Sequence, residues 1–477
     1  MIETHTYITR TKLEPADLQP VLLGLAASGW KPALLESERA FLGLAGVPTS
    51  TLSAQTRRPR YGTRYPPEMV GGDVFFQEKG MFYLATYTGG RALWERYSGR
   101  QYYRTDESGQ PELEVGVVSV SADDSPARLR DFAEAVEGAV KSSLDGRKTR
   151  HMAFEWRHVD PGRPRLDALL ERESAQPSLG LTRATLVADG VEASQALASK
   201  AVRTLLIDLS QAGFARRTDI IGRSGGGDSQ TALEALLSHG LVDTEYLLEC
   251  RKAGTHLTRL RDPSQLSVAD VGSLKCPSCG TSFDQERVSD GFSPSDVGRR
   301  LCRRSHWMTV WITQLLSQLG VPADSIVWNV SESGEEVDLL VDFLGRLWIF
   351  ELKDREFGAG DAYPLNYRQV RYRADRAVIV TTEKVSKDAK RVFDELARGS
   401  SRPHGSGPVY VEGLDHAARV LGREISTAAL RYANRWLAPL SALSGYNLGA
   451  ILSARLGEPF EDSMEDFDTE QLHWLPM

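Results

Sequence analysis

The spacing of apolar residues changes character along the chain. Over residues 1–190, apolar positions alternate or gather in short blocks. VFFQEKGMFYLATY (74–87) reads as a hairpin with Glu78-Lys79-Gly80 at its turn, and LEVGVVSVSA (113–122) alternates as a strand. Ser125-Pro126 then opens a helix with Ser125 as its N-cap. HMAFEWRHV and LTRATLVA read as further strands. From residue 192 the period becomes helical, through EASQALASKAVRTLLIDLSQAG and a second helix, TALEALLSHG, closed by His239-Gly240. Asp228 or Ser229 is placed to cap that second helix, and the strands YLLEC and HLTRL follow it.

A third pattern begins near residue 295. RRSHWMTVWITQLLSQLG (303–320) reads as a helix and DSIVWNVSES as a strand. EVDLLVDF and RLWIFELKD form a hairpin about Leu344-Gly345, then NYRQVRYRADR (366–376) reads as a helix, AVIVTT (377–382) as a buried strand and GPVYVEG (407–413) as another. The expected organisation is multi-domain α/β. It comprises an N-terminal mixed α/β region (1–190), a helical, winged-helix-like segment (191–262) interleaved with a zinc-ribbon-like module (246–290), a third domain (291–425) and a helical tail (426–477).

Composition adds exclusions. The chain is 41% hydrophobic and 25% charged, with no apolar run near the ~18 residues that span a bilayer. The first residues, MIETHTYITRTKLEP, carry no apolar leader core, so the expected compartment is cytoplasmic and no membrane partner is expected. The net charge of −7 makes no global case for nucleic acid, so any such surface is a local basic patch. The run 146–165 is one candidate, with a solvated surface as the plainer reading. Trp94, Trp156, Tyr102 and Tyr103 could line a pocket, although core aromatics account for them more simply. Gly225-Gly226-Gly227 precedes a helix but lacks the Gly-Lys-Ser/Thr ending of a phosphate loop, so it reads as a turn.

Four cysteines in 477 residues do not make a disulfide framework. CPSCGTSF (276–283) has the form of a zinc knuckle, in which two thiolates face one ion while the backbone turns around it. CRKAGTHL (250–257) repeats its Cys, Gly and Thr at the same steps, with Ala253 where the second cysteine would stand. The expectation is a structural Zn²⁺ held by Cys250, Cys276 and Cys279, with His256 or water in fourth place and Cys302 and His306 as more distant candidates. Small buried cysteines without metal, or a redox pair, are the competing readings.

The hairpin poses the sharpest chemical question, because the strand LWIF ends in Glu-Leu-Lys. Pairing the two strands about Leu344-Gly345 sets Asp338 opposite Glu351, while alternation puts Glu351 and Lys353 on one face. Two carboxylates so close repel unless a cation lies between them, and Glu351→Ala is accordingly expected to relieve repulsion. Carboxylate oxygens of this kind hold Mg²⁺, and a lysine beside them can orient water and offset charge on a phosphate. A structural ion pair at a strand end is the alternative.

Asp338, twelve intervening residues, then Glu351-Leu352-Lys353, inside a helix–three-strand–helix–strand pattern, resembles the PD-(D/E)xK or restriction-endonuclease-like nucleases. The resemblance covers about 295–425 and implies an α-β-β-β-α-β core and Mg²⁺- or Mn²⁺-dependent cleavage of phosphodiester bonds. It further implies that Asp338, Glu351 and the Leu352 carbonyl hold the metal, that Lys353 acts on the water, and that Gln369 of the next helix assists. Members often add an acid from the leading helix. Residues 299–323 contain none, so Glu332, Glu335 or Glu336 would substitute. Arg368, Arg371 and Arg376 could grip phosphate or line a solvated helix face. The implied biology is an endonuclease acting on nucleic acid, DNA before RNA, as an effector of prokaryotic antiviral defence or restriction, with the N-terminal region free to dock a partner protein. The alternative is a nucleic-acid-binding or scaffold protein built on an inactive nuclease fold.

Overall fold

The computed structural model describes residues 2–11, 13–35, 45, 69–77, 80–87, 113–120, 125–144, 152–160, 162–171, 175–177, 190–222, 227–332, 335–399 and 407–456. The chain is mixed α/β, and its described residues build three sheets. Trp94, Tyr102, Tyr103, the strand expected at LTRATLVA, the turn residues Glu78 and Lys79, Gly225 and Gly226, and residues 146–151 lie outside the described residues.

The first sheet contains β1 (Ile2–Thr9), β2 (Met69–Gln77), β3 (Gly80–Tyr87), β4 (Leu113–Val120) and β5 (Arg157–His158), ordered β2-β3-β4-β1-β5 and antiparallel throughout. Period-2 alternation divides its apolar residues between two faces. Phe75, Phe82 and Leu84 pack under the helices Pro15–Ala27 and Ser125–Ser143. Val74, Met81 and Tyr83 pack against Leu437, Leu440 and Ile451 from the helices Ala417–Ser444 and Leu448–Leu456. Burial on both faces explains why MFYLATY reads as a continuous apolar run. It also gives the helical tail its place, as the second cover of the N-terminal sheet. The boundary expected at 425/426 falls inside the single helix Ala417–Ser444.

The strand β6 (Ala175–Pro177) leaves the N-terminal region to join the C-terminal sheet. Just before it, Leu166 and Leu169 of the helix Pro164–Leu170 are buried in that sheet's core, and Arg165 pairs with Asp375. The expected N-terminal unit therefore lends its last segments to another body. The middle sheet has β7 (Ala215–Arg216), β8 (Val242–Glu249), β9 (His256–Leu260) and β10 (Arg287–Pro294) in the order β7-β10-β8-β9. The helices Lys200–Ala212, Arg217–Gly222 and Gly227–Ser238 precede β8. The last begins at Gly227, so Asp228 lies in its first turn and not at its cap.

The third sheet adds β11 (Ile326–Glu332), β12 (Glu335–Phe343), β13 (Arg346–Lys353), β14 (Arg376–Thr381) and β15 (Val409–Glu412), ordered β15-β14-β13-β12-β11-β6. β11, β12 and β13 are antiparallel, whereas β13, β14 and β15 run parallel. The β12–β13 turn has Leu344 at φ 53° and Gly345 at φ 73°, the double positive φ of a type I′ hairpin. One face packs on Trp307, Met308 and Ile312 of the helix His306–Gln318. The other packs on Ala362 and Leu365 of the helix Ala359–Arg371 and on Phe393 of the helix Lys387–Gly399. Leu206, Leu233 and Leu236 of the middle helices share the core of Trp307, so the helical segment and the third sheet bury apolar surface together. Among the described residues no helix is long and apolar enough to cross a membrane.

Candidate functional sites

Asp338, within β12, meets Glu351 and Lys353 at the end of β13. The β11–β12 ladder pairs Trp328 with Leu339 and Val330 with Val337, stepping over Asn329 and Asp338. Asn329 has φ 46°, and Trp328 and Val330 face opposite cores, so the two strands change face at this point. On the other side the β12–β13 ladder stops at Leu339–Phe350. Beyond it, Asp338 Oδ2 accepts from the Leu352 N–H at 2.8 Å. The acid thus replaces a backbone acceptor where the sheet opens.

Glu351 is buried and accepts from two cations: Lys353 Nζ at 2.8 Å on one oxygen and Arg368 Nη1 at 2.6 Å on the other. Burial works against the charged ammonium of Lys353, but Glu351 and then Asp338 outweigh it and raise its pKa. Asp361 contributes in the same direction. That acid begins the helix Ala359–Arg371, accepts from the Gly358 N–H and holds Arg355 through both oxygens at 2.8 and 2.9 Å. It did not emerge from the sequence, because the helix expected over 366–376 starts past Asp361, whereas the helix begins at Ala359 and includes Pro364.

Asp338 has its carboxyl pushed up to about 7 from 3.8, chiefly by burial and next by the Glu351 charge, against the Leu352 hydrogen bond and the two nearby cations. Between about pH 4 and 7 the folded chain keeps a proton here that the unfolded chain has released. This group's contribution to the stability of metal-free protein therefore falls as pH rises through that window. Asp338→Asn keeps the acceptor for Leu352 and removes the titration. Its melting temperature should match the parent near pH 4 and exceed it by a few degrees at pH 8; parallel profiles would count against this assignment.

Lys353 is followed by Asp354, which pairs with Arg203 Nε at 2.9 Å. Arg203 also donates to the Leu197 and Ala198 carbonyls at 2.8 and 2.9 Å and lies over the Trp307 ring. The helical segment thus clamps the strand end that carries Lys353. Gln369 is buried on the helix that supplies Arg368. The three arginines part company: Arg368 turns to Glu351, Arg371 to the Tyr367 hydroxyl at 3.0 Å, and Arg376, which begins β14, to Glu424 at 2.7 Å. A single three-arginine phosphate patch does not form, because the helix ends at Arg371 and Arg376 belongs to a strand. Glu336 pairs with Arg304.

A second cluster lies at the tip of the segment between β8 and β10. Ligand atoms of Cys250, Cys276, Cys279 and Glu286 all lie within 4.8 Å of one another, and the group could hold a metal ion. The two knuckles repeat each other bond for bond. Cys250 N donates to Thr255 O at 2.9 Å and Gly254 N to Cys250 O at 2.8 Å; Cys276 N donates to Thr281 O and Gly280 N to Cys276 O, both at 2.8 Å. Gly254 (φ 62°) and Gly280 (φ 74°) turn through the left-handed region that glycine enters without penalty. The Ala253 N–H still donates to Cys250 Sγ at 3.3 Å, as a knuckle requires, although Ala253 has no ligand of its own. Glu286 supplies the fourth donor instead, with the Cys279 thiol 3.0 Å from its carboxylate and the Arg251 N–H donating to it at 2.6 Å.

His256, expected in that place, is exposed on β9 opposite Glu249 and stands outside the cluster. Cys302 and His306 pack in the core elsewhere, His306 edge-on to Trp328 with its pKa lowered to about 4 by burial and then by Arg300. Three thiols and one carboxylate, largely buried, suit tetrahedral Zn²⁺, whose ligand atoms at ~2.3 Å from the metal stand ~3.8 Å apart.

No protein-family model matches the sequence, and no curated protein matches it. Among solved structures, the crystal structure of protein VC1899 from Vibrio cholerae is similar at TM-score 0.31 and 13% identity, over 55% of this chain and 59% of that one. The likeness spans less than two thirds of that protein's length.

Proposed function

We propose that the chain is a metal-dependent nuclease of the PD-(D/E)xK type, acting on nucleic acid with DNA favoured, as an effector of antiviral defence or restriction. The observation that carries this reading is the convergence of Asp338, Glu351 and Lys353 where β12 and β13 part, within the order helix, β11, β12, β13, helix, β14. Asp338, Glu351 and the Leu352 carbonyl would hold Mg²⁺ or Mn²⁺, which lowers the pKa of water and stabilises phosphate charge when bound. Lys353 positions the attacking water and offsets developing charge. Arg368 neutralises Glu351, and the Glu351 carboxylate would have to turn from Arg368 to hold a divalent ion. Asp361 supplies, from the following helix, the further acid that the leading helix lacks.

The cysteine cluster is proposed as a structural zinc site. The order helix, β7, helix, helix, β8, β10, in which β10 pairs with both β7 and β8, supports a winged-helix reading, with the cysteine segment between β8 and β10 where a wing would be.

The Glu351–Arg368 pair favours a second reading, in which the site is a charge-balanced strand end and the protein binds nucleic acid without cutting it. Incubating full-length protein with single- and double-stranded DNA and RNA, in Mg²⁺, Mn²⁺ and chelator, separates the two. Metal-dependent cleavage supports the first, and its absence from every substrate leaves the second.

A further inference from the structure

The helix Ala359–Arg371 buries Ala362, Leu365 and Gln369. Its opposite face should be polar if it met only water. Instead Tyr363, Tyr367 and Val370 stand 58%, 51% and 57% exposed. Their spacing, i, i+4 and i+7, makes one stripe, with the two rings a turn apart, ~6 Å along the axis. Scattered exposed apolar residues are ordinary, but an aligned pair of rings on the helix that also supplies Arg368 is not.

Charge completes the pattern. Arg371 lies over the Tyr367 ring at 5.9 Å and donates to its hydroxyl. At ~100° per residue, Arg371 follows Tyr367 by about 40° around the helix, and Arg368 lies about 60° further on, toward the sheet. The order around the helix is therefore tyrosine stripe, Arg371, Arg368, Glu351. Aromatic faces offer little to a duplex, whose bases are already stacked. They suit unpaired bases, which present a π-face whatever their sequence, with guanidinium groups beside them for the phosphates.

We propose that Tyr363, Tyr367 and Arg371 form a stacking platform that seats single-stranded nucleic acid beside the Asp338, Glu351 and Lys353 site. The proposal rests on the nuclease reading for its purpose, though not for its test. Binding of labelled oligo-dT, oligo-U and a duplex of equal length to full-length, chelator-treated protein is measured by fluorescence anisotropy. Tyr363→Ala/Tyr367→Ala should weaken single-strand binding by at least about tenfold, and Tyr363→Phe/Tyr367→Phe should stay close to the parent, since stacking needs the ring. Duplex binding should be unchanged in both. The oligo-dT and oligo-U arms show whether DNA or RNA is preferred.

The proposal fails if the parent does not bind either single strand, if the alanine pair binds like the parent, or if single-strand and duplex binding fall together. It also fails if the alanine pair changes only the oligomeric state, which would make the stripe a contact between copies. Its fate is separable from that of the nuclease. Single-strand binding lost in the alanine pair, in a protein that cuts nothing, keeps the platform and removes the nuclease. Intact cleavage with unchanged single-strand binding does the reverse.

Discussion

Glu351→Ala, Asp338→Ala and Lys353→Ala should each lower metal-dependent cleavage by at least about a hundredfold, for different reasons. The two acids are expected to lose the metal, whereas Lys353→Ala should retain most metal binding and lose the chemistry. Stability separates them further. Read from sequence alone, Glu351 is the acid whose removal relieves repulsion. The structure reverses that expectation: Glu351 is the buried partner of both Lys353 and Arg368, so its removal strands two cations and should cost about 3 kcal/mol in metal-free buffer. Asp338, whose carboxyl is held in its protonated range by burial, is the acid whose neutralisation should stabilise. Thermal melts and metal titrations on the same three variants therefore give a signature that a plain ion pair does not. A pair that exists only for stability would lose melting temperature at Lys353→Ala and have no cleavage to lose.

The hairpin was legible because its physics is local. Alternation, the Leu344-Gly345 turn and the register that runs from Phe343–Arg346 to Leu339–Phe350, one step short of Asp338 and Glu351, all follow from residues close in sequence. Asp361 and Glu286 were not legible as site residues, nor was Arg368 as the partner of Glu351, for a matching reason. Each reaches its site through a chain reversal whose geometry no periodicity encodes: the helix start ahead of Pro364, the angle of that helix on the sheet, and the return from the second knuckle into β10. The change of face at Asn329 and Asp338 was equally hidden, since an unbroken apolar alternation says nothing of a residue at positive φ. The exchange of segments between bodies was hidden too. β6 and the helix Ala417–Ser444 pack on sheets distant from them in sequence.

The middle module bears on how the proposed nucleic-acid binding would be achieved. Were the winged-helix arrangement to enter a groove, the helix Gly227–Ser238 would lead. Its sequence, GDSQTALEALLS, has two acids and no lysine or arginine. A helix so charged cannot release phosphate counterions, which supply most non-specific affinity. The ribbon beyond it differs, with Arg251, Lys252, Arg259, Arg261 and Lys275 all exposed. On the proposed reading, contact with a polyanion through this module would fall to the segment between β8 and β10, and the cysteine cluster would be decisive by folding that segment.

Purified protein should carry about one zinc per chain, and its removal should unfold the segment between β8 and β10. Among the described residues, the apolar side chains Val268, Leu274 and Val288 in or beside this segment are exposed, and its 3₁₀ turns and four-residue helix Ala269–Gly272 bury little. Without a core, metal binding has to supply the folding energy, of order 10 kcal/mol at a structural zinc site. Cys276→Ser should therefore release the metal and open residues 250–286 to protease, while the buried strands β12 and β13 stay protected. Ala253→Cys tests the geometry from the other side. It places a thiol at the step where Cys279 stands in the sister knuckle, so four thiolates can close on the ion and Glu286 becomes dispensable. Glu286→Gln should then weaken zinc binding in the parent background by tenfold or more and leave the Ala253→Cys background nearly unaffected. Elemental analysis without zinc, or equal sensitivity to Glu286→Gln in both backgrounds, would show that the four side chains cluster for packing and not for a metal.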